Sequence, residues 1–193
     1  MSSPAPLASL RRSLAALTAL LVLCLGLLGA PGGAAASLTN DNYDGNIYAL
    51  YAGNGSLVPP RNSLADALAA HRPSVVIYYL DDSAVSKQFS PVVSELQRLW
   101  GNRIDLLPLV SDPLQNRAEG GPTDPAHYWR GKVPQVVVLD GDGQVLLDVE
   151  GQVGVDVINR AVSRATGIPL PEGEGAGSTV SFNELNAEVV PGR

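Results

Sequence analysis

One stretch restricts this chain more than any other: Val75-Val76-Ile77-Tyr78-Tyr79-Leu80-Asp81-Asp82-Ser83-Ala84-Val85-Ser86-Lys87-Gln88-Phe89-Ser90-Pro91. Six consecutive apolar or aromatic residues suit a strand covered on both faces. After the two aspartates, Val85, Phe89, Val92, Val93, Leu96 and Trp100 recur at three- and four-residue spacing, which predicts a helix with one apolar face. Pro91 falls inside that helix and predicts a kink. Asp81 and Asp82 stand at its mouth, where carboxylates favour the helix dipole and are expected to cap exposed amides.

The flanking chain extends this into an α/β pattern. Residues 37–46 are polar and turn-rich, as in a linker, and Ile47–Tyr51 reads as a short strand ending at the turn Gly53-Asn54-Gly55. Asn54-Gly55-Ser56 also fits a glycosylation sequon, but the turn accounts for it. Ser63 is a good N-cap for a helix over 64–70 with Asp66 in its third position, and Pro73 closes it. His71, at that helix's end, is expected to cap its last carbonyls. Ile104–Val110 reads as a strand with Pro108 at an edge, which completes a βαβ unit with the opening stretch. Residues 111–128 read as a long loop, a type often functional. Gln135–Asp140 and Gln144–Val149 form a hairpin around Gly141-Asp142-Gly143. Val155, Ile158, Val162 and Ala165 mark a last helix that Gly167 can end. From Pro169 the composition turns to Pro, Glu, Gly and Ser, expected to be unstructured through Gly177. Residues 179–190 regain apolar side chains and read equally as a docking peptide or a strap over the domain.

The strand, the acidic turn, Lys87 and the proline four residues beyond it resemble the active-site segment of thioredoxins. The positions of that family's Cys-Gly-Pro-Cys motif here read Ser83-Ala84-Val85-Ser86, without sulfur. Val133-Pro134 followed by Gln135–Leu139 resembles the thioredoxin strand that opens with a cis-proline. The resemblance implies a thioredoxin-like three-layer α/β sandwich with a central mixed sheet over residues 47–168, and a Val133–Pro134 bond that is cis. It also implies a groove for extended polypeptide made from Asp81, Asp82, Ser83, Ala84, Ser86, Val133 and Pro134. Tyr128 and Trp129 lie beside it in sequence, as interface anchors or as core residues.

A second resemblance covers most of the domain. Leu50–Pro60, Tyr79-Leu80-Asp81-Asp82-Ser83 with Lys87-Gln88, and Val133-Pro134-Gln135 are similar to the thylakoid membrane photosystem I accumulation factors of cyanobacteria and plastids. That family implies an auxiliary role in photosystem I accumulation, with photosystem I subunits or assembly intermediates as partners, and not a defined reaction.

Location and charge narrow the function further. Residues 1–36 carry Arg11 and Arg12, an apolar run from Leu14 to about Leu28, and small residues ending Ala34-Ala35-Ala36. This is the form of a secretory signal, and the run approaches the roughly 17 residues that can just span a membrane as an anchor. Either way the following chain is expected on the exported side, at the thylakoid membrane or in a soluble lumen or periplasm. Cys24 is the single cysteine, so cleavage after Ala36 would leave a protein with neither disulfides nor thiols. The net charge is −6, and loss of the two arginines would make it more negative, which argues against a nucleic-acid partner.

The available chemistry is sparse. Serine at 83 or 86 would need a positioned base, and the only histidines are His71 and His127. No oxyanion-hole motif accompanies them. Asp140, Asp142 and Asp148 belong to a hairpin turn and its flank, and lack the ligand series of a calcium loop. No metal, nucleotide or other cofactor is expected. The leading expectation is a non-enzymatic assembly factor that binds polypeptide in the groove. Its rivals are an enzyme, either redox through a partner's thiols or hydrolytic through Ser83 or Ser86 with His127, and a structural domain recruited through its C-terminal segment.

Overall fold

A four-stranded mixed sheet organises the domain, in the order β2 (Asp105–Val110), β1 (Ser74–Tyr79), β4 (Gln135–Leu139), β5 (Val145–Glu150). β1 runs parallel to β2, from Ser74 opposite Asp105 to Tyr79 opposite Val110. It runs antiparallel to β4, with Ser74 opposite Leu139 and Tyr78 opposite Gln135. Pro108 is tolerated because β2 is an edge strand, where a missing N–H need not break a ladder. In this computed structural model the described residues are 37–170, Leu17 and the backbone of Glu188–Val189. The chain divides into two units, Met1–Ala35 and Ala36–Arg193, and the sheet with its helices belongs to the second. The expected signal or anchor, Cys24 and most of the C-terminal tail lie outside the described residues.

The period-two alternation of strands sorts the core onto two faces. Val75, Ile77 and Tyr79 of β1, with Val136 and Val138 of β4, face one cluster. Into it α3 (Ala84–Trp100) contributes Phe89, Val93, Leu96 and Trp100, and α4 (Val155–Thr166) contributes Ile158, Ala161 and Val162. Val76, Tyr78, Val137 and Leu139 face the other, against Leu64 of α2 (Leu64–Ala69) and Leu114, Ala126, Tyr128 and Trp129 from the long connection after β2. The sheet is therefore covered on both sides, which is why its central strands read as unbroken apolar runs. Trp100 Nε1 donates to Asn159 Oδ1 at 2.8 Å, a buried polar tie between α3 and α4.

Several expected elements appear as read. Ser63 and Asp66 form a reciprocal capping box at the start of α2. Asp140 closes the hairpin as a turn residue, its Oδ1 accepting from the amides of Asp142 and Gln144, with Gly143 at φ +80°. Pro91 leaves the Lys87 carbonyl without its helical donor, and the Ser90 hydroxyl supplies one at 2.8 Å. The Val133–Pro134 bond is cis, and so is Val58–Pro59.

Others differ. Ile47–Ala52 is a helix, α1, and not a strand. Asn46 Oδ1 accepts from the amides of Tyr48 and Ala49, and Gly53 ends it in the left-handed conformation at φ +62°. Ile47, Tyr48 and Tyr51 share its inner side, a helical spacing that a six-residue window does not separate from alternation. His71 does not cap α2 with its side chain. Its own backbone takes φ +52° and donates to Leu68 O, and the imidazole lies exposed 3.5 Å from Asp142. The segment after β2 forms two 3-10 turns, Asp112–Leu114 and Pro125–His127, whose Leu114 and Ala126 enter the core. Residues 37–46 are not a free linker, because they fold onto the first turn of α3. For the C-terminal segment, left open between a docking peptide and a strap, the described residues show β6 (Glu188–Val189) paired antiparallel with β3 (Lys132–Val133).

Candidate functional site

The thioredoxin resemblance points to the mouth of α3. Its cap is Ser83, whose Oγ accepts from Ser86 N at 3.3 Å, and not the aspartate pair. Ser86 Oγ in turn accepts from Leu80 N at 3.2 Å, stitching the end of β1 to the helix. Both serines are only 1% exposed, and each hydroxyl serves the backbone. A third chain segment closes the mouth: Asp41 Oδ1 accepts from Ala84 N at 2.8 Å, occupying an amide that a helix N-terminus would otherwise offer to an anion.

The residue behind that closure is Lys87. Its side chain is fully buried, and its ammonium lies within hydrogen-bond distance of five oxygens. They are Asp44 Oδ2 at 2.7 Å, Asn42 O at 2.5 Å, Asn40 O and Oδ1 at 3.1 and 3.2 Å, and Ser37 O at 3.4 Å. Tyr51 Oη donates to the same Asp44 oxygen at 2.7 Å, and its ring lies 5.8 Å from the ammonium. Hydrogen bonds from Lys87 and Tyr51 hold the Asp44 carboxyl below the ordinary aspartate range. Lys87 matches a family position in the sequence, but nothing in residues 37–46 announces a lysine cage, because four of the five acceptors are backbone or amide oxygens.

Asp81 has a different task from the expected one. Its Oδ1 accepts from Ile47 N at 3.2 Å and so steadies the start of α1. Desolvation raises its pKa, with the nearby charges of Asp82 and Asp112 adding to the rise and the Ile47 amide opposing it. Asp82 is exposed at the same turn.

The second segment of the expected groove lies across β1, where Val133 and Pro134 are buried. With Tyr78 opposite Gln135, the register continued by one and two residues sets Pro134 and Val133 across from Tyr79 and Leu80. Thus Asp81–Ser86 and Val133–Pro134 come to one end of the sheet. Gln135, fully buried, fixes the approach to this segment: its Nε2 donates to Tyr128 O at 2.7 Å and Asp148 Oδ1 at 3.0 Å, and its Oε1 accepts from Arg130 N at 3.0 Å. Gly151 N donates to Pro134 O at 2.7 Å, and Gln152 Nε2 reaches Val85 O at 2.7 Å, tying the end of β5 to both segments. Sequence reasoning misses these two glutamines as site residues; for Gln135 the available signal is a polar residue opening the apolar run Val136–Leu139.

Tyr128 and Trp129 are core residues, not surface anchors. Trp129 is 2% exposed, its ring 5.2 Å from Tyr78, and its Nε1 has no partner among the described residues. Tyr128 Oη donates to Pro122 O at 2.8 Å, and burial raises its pKa. His127 is exposed, its ring edge-on to Tyr128 at 4.9 Å, and among the described residues no hydrogen bond joins it to Ser83 or Ser86.

No family model matches the chain. Its sequence is 35% identical over 192 residues, covering 95% of both chains, to the thylakoid membrane protein slr1796 of Synechocystis sp.. The chain belongs to the family of that thylakoid membrane protein. Among solved structures it is similar to a DsbH oxidoreductase at 14% identity, covering 56% of this chain and 84% of that one, with a TM-score of 0.29. A superposition that loose carries no argument about the site. Among the described residues no helix is long and apolar enough to cross a membrane.

Two substitutions test the site's electrostatics. Lys87→Met keeps the apolar stem but removes the cation from its cage, leaving the Asp44 carboxylate with only the Tyr51 hydroxyl and the Ser37 amide as donors. It is expected to lower stability by about 2 kcal/mol or more in urea unfolding and to open residues 37–46 to proteolysis; an unchanged midpoint would refute the cage. Asp81→Asn keeps an acceptor for Ile47 N and removes the charge. Because the folded-state pKa of Asp81 is raised, the native chain loses stability as pH rises from the unfolded aspartate value of about 3.9 through the folded value. The variant is therefore expected to be the more stable at pH 7, with the difference fading toward pH 4. A difference that is constant with pH would contradict this origin.

Proposed function

We propose that this chain is a non-catalytic, thioredoxin-like accessory factor at the thylakoid membrane, its domain on the lumenal side. In this reading it supports photosystem I accumulation or assembly by holding extended polypeptide at the end of the sheet where β1 and β3 approach the mouth of α3. The observation that carries the reading is β3: Lys132–Val133 presents main-chain groups that pair antiparallel with another stretch of backbone. Strand addition of this kind takes its affinity from main-chain hydrogen bonds and asks little of the client's sequence. The thylakoid relative supports the membrane, and the resemblance of Leu50–Pro60 and Val133-Pro134-Gln135 supports the photosystem I role.

The state of the two serines supports a role without catalysis. Thiol–disulfide exchange requires an accessible thiolate. Positions 83 and 86 carry buried hydroxyls that already accept backbone amides. A serine nucleophile would need a base within hydrogen-bond reach, and His127 makes no such contact.

The test places a photoreactive side chain in the full-length protein at Arg130, exposed beside β3, or at Val145, exposed at the other end of β5. In thylakoid membranes, position 130 is expected to capture photosystem I polypeptides and position 145 is not. Equal capture from both positions, or none from 130, would overturn the groove reading. Insulin reduction by the purified protein should stay at the uncatalysed rate; turnover above it would overturn the non-catalytic reading.

A further inference from the structure

We infer that the β3 edge is a gated docking surface whose resident occupant is the chain's own C-terminal segment, so that a client polypeptide enters by displacing residues around Glu188–Val189. The inference rests on the groove reading above and deepens it, since it names what a client must compete with. Its basis is the pairing of Lys132 with Val189 and of Val133 with Glu188, in antiparallel register. The edge that could accept a foreign strand is already answered from within.

Two features make this occupant a gate and not a fixed part of the sheet. The pairing spans two residues of each strand, whereas β1 and β2 pair over six. A ladder that short holds little by itself. Its occupancy depends on the tether: 17 residues, 171–187, separate Leu170 from Glu188. Seventeen residues can span up to roughly 60 Å, so the occupant stays covalently attached within reach of β3. A weak contact sustained by tethering yields to a competitor of modest affinity, which a rigid, fully paired strand would not.

The occupant also describes the client. Residues 179–190 contain no proline, so every position can donate to a ladder, and Pro191 then removes the next donor. The segment mixes Val180, Phe182, Leu185, Val189 and Val190 with Glu184 and Glu188. A fitting client is an extended, proline-free stretch of another polypeptide.

The experiment compares the native full-length chain with a full-length variant carrying Glu188→Pro and Val189→Pro, which removes both amide donors of β6. The probe is a labelled synthetic peptide with the sequence of residues 179–193, and hydrogen exchange is read at the amides of Lys132 and Val133. The variant is expected to bind the peptide about tenfold more tightly, because the native edge is available only for the fraction of time it stands empty. Exchange at 132 and 133 is expected to be faster in the variant and slowed again by the peptide. Equal affinity for both chains, or identical exchange, overturns the gate; if position 130 still captures photosystem I polypeptides, the groove reading survives that result. Loss of that capture in both chains, with the peptide and exchange differences intact, overturns the groove reading alone. A native dimer that forms with rising concentration and is absent in the variant also overturns the gate, by seating the tail on a second copy.

Discussion

A buried ammonium is the constraint on which the candidate site depends. Moving such a charge out of water costs several kcal/mol unless pairing and hydrogen bonds replace the lost solvent. Lys87 sits in the first turn of α3, where the helix dipole opposes a cation, so the helix itself supplies no compensation. The replacement comes from residues 37–44, whose carbonyls, Asn40 amide oxygen and Asp44 carboxylate surround the ammonium. Once that segment is in place, Asp41 reaches Ala84 N and the Gln88 side chain reaches Leu38 O, so the cage also covers the helix mouth. The segment that Lys87 holds thus occupies the Ala84 amide at the helix mouth, beside two serines that are themselves only 1% exposed.

The end of β4 beside the helix mouth is organised by a single glutamine. Gln135 opens β4 fully buried and satisfies a loop amide, a loop carbonyl and a carboxylate on β5 at once. Substituting an apolar residue there would strand the Arg130 amide and the Tyr128 carbonyl, while Asp148 would keep its ion pair with Arg130. With Gly151 N on Pro134 O and Gln152 on Val85 O, this network fixes β3 relative to α3 while leaving the β3 backbone to pair with β6.

Much of the framework is legible in the sequence because it rests on local signals. The apolar run 75–80, the three- and four-residue spacing from Val85 to Trp100, the Ser63 cap and the Asp140 turn each name their own structure. Ile47–Ala52 reads as a strand because six residues do not distinguish helical from strand periodicity, and the deciding marks, Asn46 before and Gly53 after, are caps at its ends. The cage is illegible for a different reason: its acceptors are mostly main-chain oxygens, which every sequence contains, brought to Lys87 from more than 40 positions away. Tyr128 and Trp129 show the same limit in reverse, since a residue type suited to interfaces is equally suited to a core.

Whether the helix mouth is closed is open to direct measurement. Cysteine is installed singly at position 83 or 86 of a full-length chain whose native thiol has been removed by Cys24→Ala, and its reaction with a soluble disulfide reagent is timed. With both positions 1% exposed, the account predicts labelling at least about 100-fold slower than in the urea-unfolded chain, limited by local opening. Labelling of the folded protein within about tenfold of the unfolded rate would show an open mouth and contradict it.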